Sequence, residues 1–354
     1  MHVAEMNYEI APSIKALLID FIQNSDIGYL GPVPEVAEAF AGFAERRWGW
    51  QPDPSQIRIS TDVGVSAIAL LQTLGKAGNR VLVNSPVYSS FFSWIADAQM
   101  SVVDAPLVEG QDTWHLDLAS VEKAFAQGVD FYLLCSPHNP IGAVFSAAEL
   151  EAIADLALKY GVTVISDEIH APLTYADQTF TPWLNVSDAA RKTGVVITAA
   201  SKSFNLAGLK ASIIVTQDEA MWNRVSAVTP ALHWRSGILG AFGMAEAFNN
   251  CEPWLDQAIE ANRVSRDYLM QQISLKLPGV KSWVAKGGYL AWVDVSTLNI
   301  GENPALTVIE EKKVAFVPGV DHGAPYQQYV RINFAASKAD IDSSVDALAS
   351  YLNA

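Results

Sequence analysis

The feature that most restricts what this chain can fold into is an alternation. IRIST (57–61), RVLVN (80–84), MSVVDAP (100–106), DFYLLC (130–135), VTVISD (162–167), GVVITAA (194–200) and ASIIVT (211–216) are short runs rich in β-branched residues. Between most of them lie longer segments, such as 66–77, 118–126 and 147–160, with apolar residues at helical spacing. A strand that is apolar along nearly its whole length needs cover on both faces, and intervening helices supply it. The pattern predicts an α/β fold around a mostly parallel, seven-stranded sheet. The stretch joining ITAAS to ASIIVT is too short for a helical crossover, so ASIIVT is expected to run antiparallel.

The pattern changes after about Gly243. A helical stretch over 245–275 is followed by LPGV, then by GYLAWVDV, KKVAFVPG and YVRINFA, and by a final helix over 338–352. This reads as a smaller α+β domain. The expected division is a large domain over 30–243 and a small domain made of 1–29 and 244–354. With 354 residues, half of them hydrophobic, the chain has ample material for both cores.

A net charge of −15 argues against nucleic acid as a partner, because phosphate binding depends on Lys and Arg. It leaves room for a local cationic pocket. Cys135 and Cys251 stand far apart, with no CxxC and no histidine cluster, so neither a disulfide framework nor a metal site is expected. A reducing, cytoplasmic setting fits. MHVAEMNYEI has neither a basic region nor an apolar core of a signal peptide. No run reaches the roughly 18 apolar residues of a membrane span, so no membrane partner is expected.

In α/β sheets, ligands bind outside the carboxyl ends of the strands. Three unusual groups fall there: Asn139 in SPHNPIG after DFYLLC, Asp167 in SDEIHAPL after VTVIS, and Lys202 in SKSFNLAGLK after VVITAA. Each has an ordinary reading by itself. Strand-end lysines keep their charge in water, aspartates cap the next segment, and Asn-Pro occurs in common turns. Their convergence on one crevice suggests more. A partly desolvated lysine has a lowered pKa and forms a Schiff base with an aldehyde cofactor.

Pyridoxal 5'-phosphate suits the set. Lys202 would hold its aldehyde and later shuttle the substrate Cα proton. Asp167 would pair with the ring nitrogen, so that the ring accepts carbanion electrons. Asn139 would donate to the phenolic oxygen, and Tyr88, in NSPVYSSFF, would stack on the ring. Its phosphate needs amide donors at a helix N-terminus, which STDVGVSAIALL offers at Val63 and Gly64. Ser201 and Lys210 add a hydroxyl and a cation. Neither GxGxxG nor a Walker pattern is present.

The order SPHNPIG, SDEIHAPL, SKSFNLAGLK, YVRINFA resembles the fold-type I pyridoxal-phosphate enzymes of the class I/II aminotransferase superfamily, over nearly the whole chain. The resemblance implies that fold, with Lys202 as the cofactor lysine. Many aminotransferases carry a tyrosine three residues after the aspartate, whereas this chain has His170, expected at the cofactor. That spelling, with SPHNP and SKSFNLAGLK, is similar to the cystathionine β-lyase-like C–S lyase branch. MHVAEMNYEIAPSI resembles the same branch's segment, which usually has a tryptophan where His2 stands. By the same resemblance Arg331 clamps the substrate α-carboxylate, a task suited to a guanidinium fork. Tyr29, in DIGYLGPV, matches a tyrosine that reaches the neighbouring subunit's cofactor phosphate, which implies a homodimer with shared sites.

Two departures stand out. The family usually has a further segment ahead of MHVAEM. It also tends toward Pro-Gly and two apolar residues where this chain reads TDVGVS, so the register of the phosphate turn at Val63 and Gly64 is open. The motif spellings favour a C–S β-lyase acting on cystathionine or other S-substituted cysteines. An aminotransferase is the alternative, and a cofactor-loaded regulatory binding protein is a third reading.

Overall fold

The computed structural model describes residues 2–352. Its first nine strands are β1 (Ile57–Ser60), β2 (Arg80–Val83), β3 (Ser101–Asp104), β4 (Val108–Glu109), β5 (Trp114–His115), β6 (Phe131–Cys135), β7 (Thr163–Asp167), β8 (Gly194–Thr198) and β9 (Ser212–Val215). Seven of them form one sheet in the order β1-β9-β8-β7-β6-β2-β3. As expected, β9 is antiparallel to its neighbours β8 and β1, while the other pairings are parallel. The central strands β6, β7 and β8 are buried at every position, which explains their unbroken apolar spelling.

Register sets up the crevice. Cys135 pairs with Asp167, and Asp167 with Ile197. The segments leaving β6, β7 and β8 therefore emerge side by side at one edge of the sheet. Helices cover its faces with their apolar stripes. In Ala147–Tyr160 the buried residues are Leu150, Ile153, Ala154 and Ala157, and the helix starts on a capping box between Ser146 and Glu149.

A second sheet contains β10 (Lys281–Ser282), β11 (Leu290–Asp294), β12 (Val317–Pro318) and β13 (Tyr329–Asn333) in the order β10-β11-β13-β12, all antiparallel. KKVAFVPG contributes only the two residues of β12, at a sheet edge, where a proline without an N–H is tolerated. The single helix expected over 245–275 is two helices, Ile238–Asn250 and Glu252–Lys276. Cys251 is the break, and Pro253 sits in the first turn of the second helix, where its missing N–H costs nothing. The domain boundary expected after residue 243 falls inside the first of these helices, which packs on Pro12–Gln23 and Pro34–Trp48. The hairpin β4–β5 was not anticipated, since two-residue strands leave no periodicity.

Candidate active site

Lys202 follows β8 by a tight turn, in which Phe204 N–H donates to Ala200 O and Leu206 N–H to Ser201 O, both at 2.9 Å. Phe204 is fully buried and packs on Phe43, Phe248 and Trp254. Burial of such a ring contributes about 2–3 kcal/mol, enough to hold the backbone beside it. Asn205, in the left-handed region at φ 61°, turns its amide to residues near the N-terminus. It accepts from Met6 N and donates to the carbonyls of Met6 and Tyr8. The motif residues flanking the lysine thus serve to position it.

A cavity of about 500 Å³ opens around this lysine. Asp167, Asn139, Tyr88, His170, Val63, Gly64, Ser201, Lys210 and Arg331 line it, so every residue expected at the site except Tyr29 meets there. Tyr29 lies outside this lining and is 96% exposed. Residues that sequence reasoning did not assign to the site also face the cavity: His2–Ala4, Asp62, Trp94 and Asp321. The family-like spelling of MHVAEM was the available signal for the first of these.

Asp167 ends β7 and is 3% exposed. Burial pushes its carboxyl up to about 7, opposed by the Ile169 N–H at 3.1 Å and by the charge of Lys202. Lys202 donates to the Ala4 carbonyl at 2.8 Å. Burial lowers its pKa, and the Arg331 guanidinium lowers it further, against the pull of Glu5 and Asp167. A lysine so biased yields a neutral amine more readily than a solvated one. His170 is buried and held at about 3, chiefly by burial and then by Lys202 and Arg331, so it is neutral at physiological pH. Its Nδ1 has no hydrogen-bond partner among the described residues.

Arg331 projects from β13, opposite Trp292 and Val317. It is 5% exposed, and its pKa falls to about 10 by burial, which leaves it charged at neutral pH. Nη1 donates to Asn139 Oδ1 at 3.1 Å and Nη2 to His2 O at 3.2 Å, while the buried Nε–H has no partner among the described residues. Among the described residues it forms no ion pair. Burying a cation without an anion is costly, and a carboxylate in the cavity would relieve it. The bond to Asn139 also orients that side-chain amide, and the Asn139 backbone N–H donates separately to Cys135 Sγ at 3.3 Å.

Val63 and Gly64 open the helix Val63–Leu74, which Asp62 caps by accepting from Val65 N at 2.8 Å. Ser66 and Ser212 tie this helix to β9 through a buried hydroxyl contact of 3.1 Å. A Cβ at Gly64 would lie 2.9 Å from the Trp94 ring, so a larger residue there would have to displace that ring. Lys210 stands 3.8 Å from Asp62.

These features fit pyridoxal 5'-phosphate. Arg331 and His170, each with a buried polar atom unpartnered among the described residues, line the cavity together with a carboxylate and a lysine, and a helix N-terminus with a serine and a lysine can receive a phosphate. The sequence profile of the family described as aminotransferase class I and II matches residues 4–348. The chain is 33% identical to a cystathionine beta-lyase of Corynebacterium glutamicum, over 99% of this chain and 92% of that one. It is 29% identical to a cystathionine beta-lyase of Bacillus subtilis, over 98% and 90%. Cystalysin from Treponema denticola, whose structure contains pyridoxal 5'-phosphate, superposes with a TM-score of 0.94 at 25% identity, covering 100% of this chain and 90% of that one. The chain belongs to the class I and II aminotransferase family.

Proposed function

We propose that this protein is a pyridoxal-phosphate-dependent C–S β-lyase that cleaves cystathionine or other S-substituted cysteines to a thiol, pyruvate and ammonia. The observation that carries the amino-acid reading is the buried, anion-free Arg331 facing the same cavity as Lys202 and Asp167. The lyase reading is supported by the names of the relatives from Corynebacterium glutamicum and Bacillus subtilis.

When bound, the cofactor supplies an electron sink for a carbanion at the substrate Cα. The chain's own residues do the rest. Lys202 would hold the cofactor through its aldehyde, and its amine, with a pKa lowered by burial, would take the substrate Cα proton. Asp167 would keep the ring nitrogen protonated, and Asn139 and Tyr88 would hold the ring. Val63 and Gly64 amides, Ser201 and Lys210 would receive the phosphate. Arg331 fixes the α-carboxylate and so aligns the Cα–H and Cβ–S bonds for elimination. The Cα–H and Cβ–S bonds break, the sulfur leaves as thiol, and water completes the conversion to pyruvate and ammonia.

A homodimer in the cytoplasm completes the proposal. The exposure of Tyr29, with Ile22 and Ile27 also exposed nearby, suits a surface that a second copy covers. Among the described residues no helix is long and apolar enough to cross a membrane. The test is incubation of the holoenzyme with L-cystathionine in the absence of any 2-oxo acid. Many turnovers to pyruvate and free thiol are expected. Arrest after one equivalent, with recovery on adding a 2-oxo acid, would make the protein an aminotransferase.

A further inference from the structure

Of the carboxylates around the cavity, one stands exposed at its rim. Lys210 offsets Asp62, Lys202 and Asp167 attract each other, and Arg331 is open to an α-carboxylate. Asp321 also lines the cavity, on its exposed side, and forms no ion pair among the described residues.

Its position is built rather than incidental. Asp321 lies in the 3-10 turn Gly319–His322, directly after β12. Val87 N–H donates to the His322 carbonyl at 3.0 Å, and His322 Nδ1 meets the Val87 carbonyl at 2.8 Å. These two bonds tie the turn to the residue before Tyr88. The His322 ring packs edge-on to the buried Trp292 at 5.3 Å. At Gly319 a Cβ would come within 2.1 Å of the Tyr326 carbonyl, so the turn has little freedom to shift. Asp321 is thereby kept on the same rim as Tyr88, close enough for its charge to be felt by Arg331.

We propose that Asp321 is a specificity-determining residue that selects substrates whose sulfur substituent carries a second ammonium group. The proposal rests on the C–S lyase reading of the site. With the α-carboxylate on Arg331 and the α-amine toward Lys202, the remaining substituent leads to the open rim. There, once Arg331 is taken by the α-carboxylate, Asp321 is an exposed carboxylate with no ion-pair partner among the described residues. An ammonium at that point gains a partner, whereas a neutral substituent gains nothing. Because the pair is exposed, the preference is modest, about fivefold, and weakens with added salt.

The experiment compares S-(2-aminoethyl)-L-cysteine with its uncharged isostere S-propyl-L-cysteine, on the wild-type holoenzyme and on Asp321→Asn. Binding constants come from rapid-mixing changes in the visible spectrum, and kcat/KM from pyruvate release. The ratio of binding constants, aminoethyl over propyl, is expected to fall about fivefold in the variant. Added salt should lower the same ratio in the wild type and leave it unchanged in the variant. An unchanged ratio in Asp321→Asn overturns the assignment, including the case where both substrates weaken equally because Asp321 acts only through Arg331. Pyruvate release with an unchanged ratio would leave the lyase reading standing without the Asp321 role. A fallen ratio without pyruvate from either amino acid would sustain the Asp321 role and refute the lyase reading.

Discussion

Asp167→Asn isolates the carboxylate on which the electron-sink chemistry depends. The substitution keeps the shape and removes the charge. In the cofactor-free protein, burial raises the Asp167 pKa from 3.8 to about 7. The native state therefore holds this proton more tightly than the unfolded chain does. Its contribution to stability is fully present below about pH 4 and is lost as pH rises through about 7. A rise of about three units corresponds to about 4 kcal/mol at about 1.36 kcal/mol per unit. Asparagine does not titrate, so the variant should escape this loss. Glu168 is also raised, to about 8, mainly by burial, but it is present in both proteins and largely cancels in the difference. Urea unfolding of the two cofactor-free proteins at about pH 4 and about pH 8 reads the effect. The wild type should lose several kcal/mol relative to the variant across that interval. Adding pyridoxal 5'-phosphate at the higher pH should stabilise the wild type more than the variant, because only the carboxylate can pair with the ring nitrogen. A stability difference that does not change with pH would refute this account of Asp167.

The remaining predictions concern substrate and phosphate. Arg331→Ala should leave the cofactor's visible band in place and raise KM for amino-acid substrates about 100-fold, the loss of a buried charge pair worth about 3 kcal/mol. A KM within a factor of about two of wild type would move the carboxylate clamp elsewhere. Gly64→Ala drives a methyl to 2.9 Å from Trp94, which itself packs on Tyr88 and Phe91. Overpacking of about 1–3 kcal/mol outweighs the gain in helix propensity, so a net loss of about 1 kcal/mol is expected. Faster release of the cofactor on dialysis should accompany it, and retention equal to wild type would argue against the cradle at this turn.

Much of the fold was legible because the central strands are buried on both faces, so that their spelling betrays them wherever they lie in the chain. The short connection before β9 was equally plain. Topology then made the site legible: parallel neighbours β6, β7 and β8 bring Asn139, Asp167 and Lys202 to one edge. What stayed hidden has a common cause. Ala4 meets Lys202, and His2 meets Arg331, through backbone carbonyls, which every residue type possesses. Asp321 reaches the cavity through a turn pinned by backbone and histidine bonds to Val87, a tertiary contact with no local pattern. The helix break at Cys251 was masked because Pro253 falls in a first turn, where it disturbs no helical bond.

Every role assigned above depends on Lys202 carrying the cofactor. The most direct measurement is borohydride reduction of the purified holoenzyme followed by peptide mass mapping. A single pyridoxyl-phosphate label on Lys202, in the peptide containing SKSFNLAGLK, is the predicted result. A label on Lys210 or on any other lysine, with Lys202 unmodified, would contradict the account.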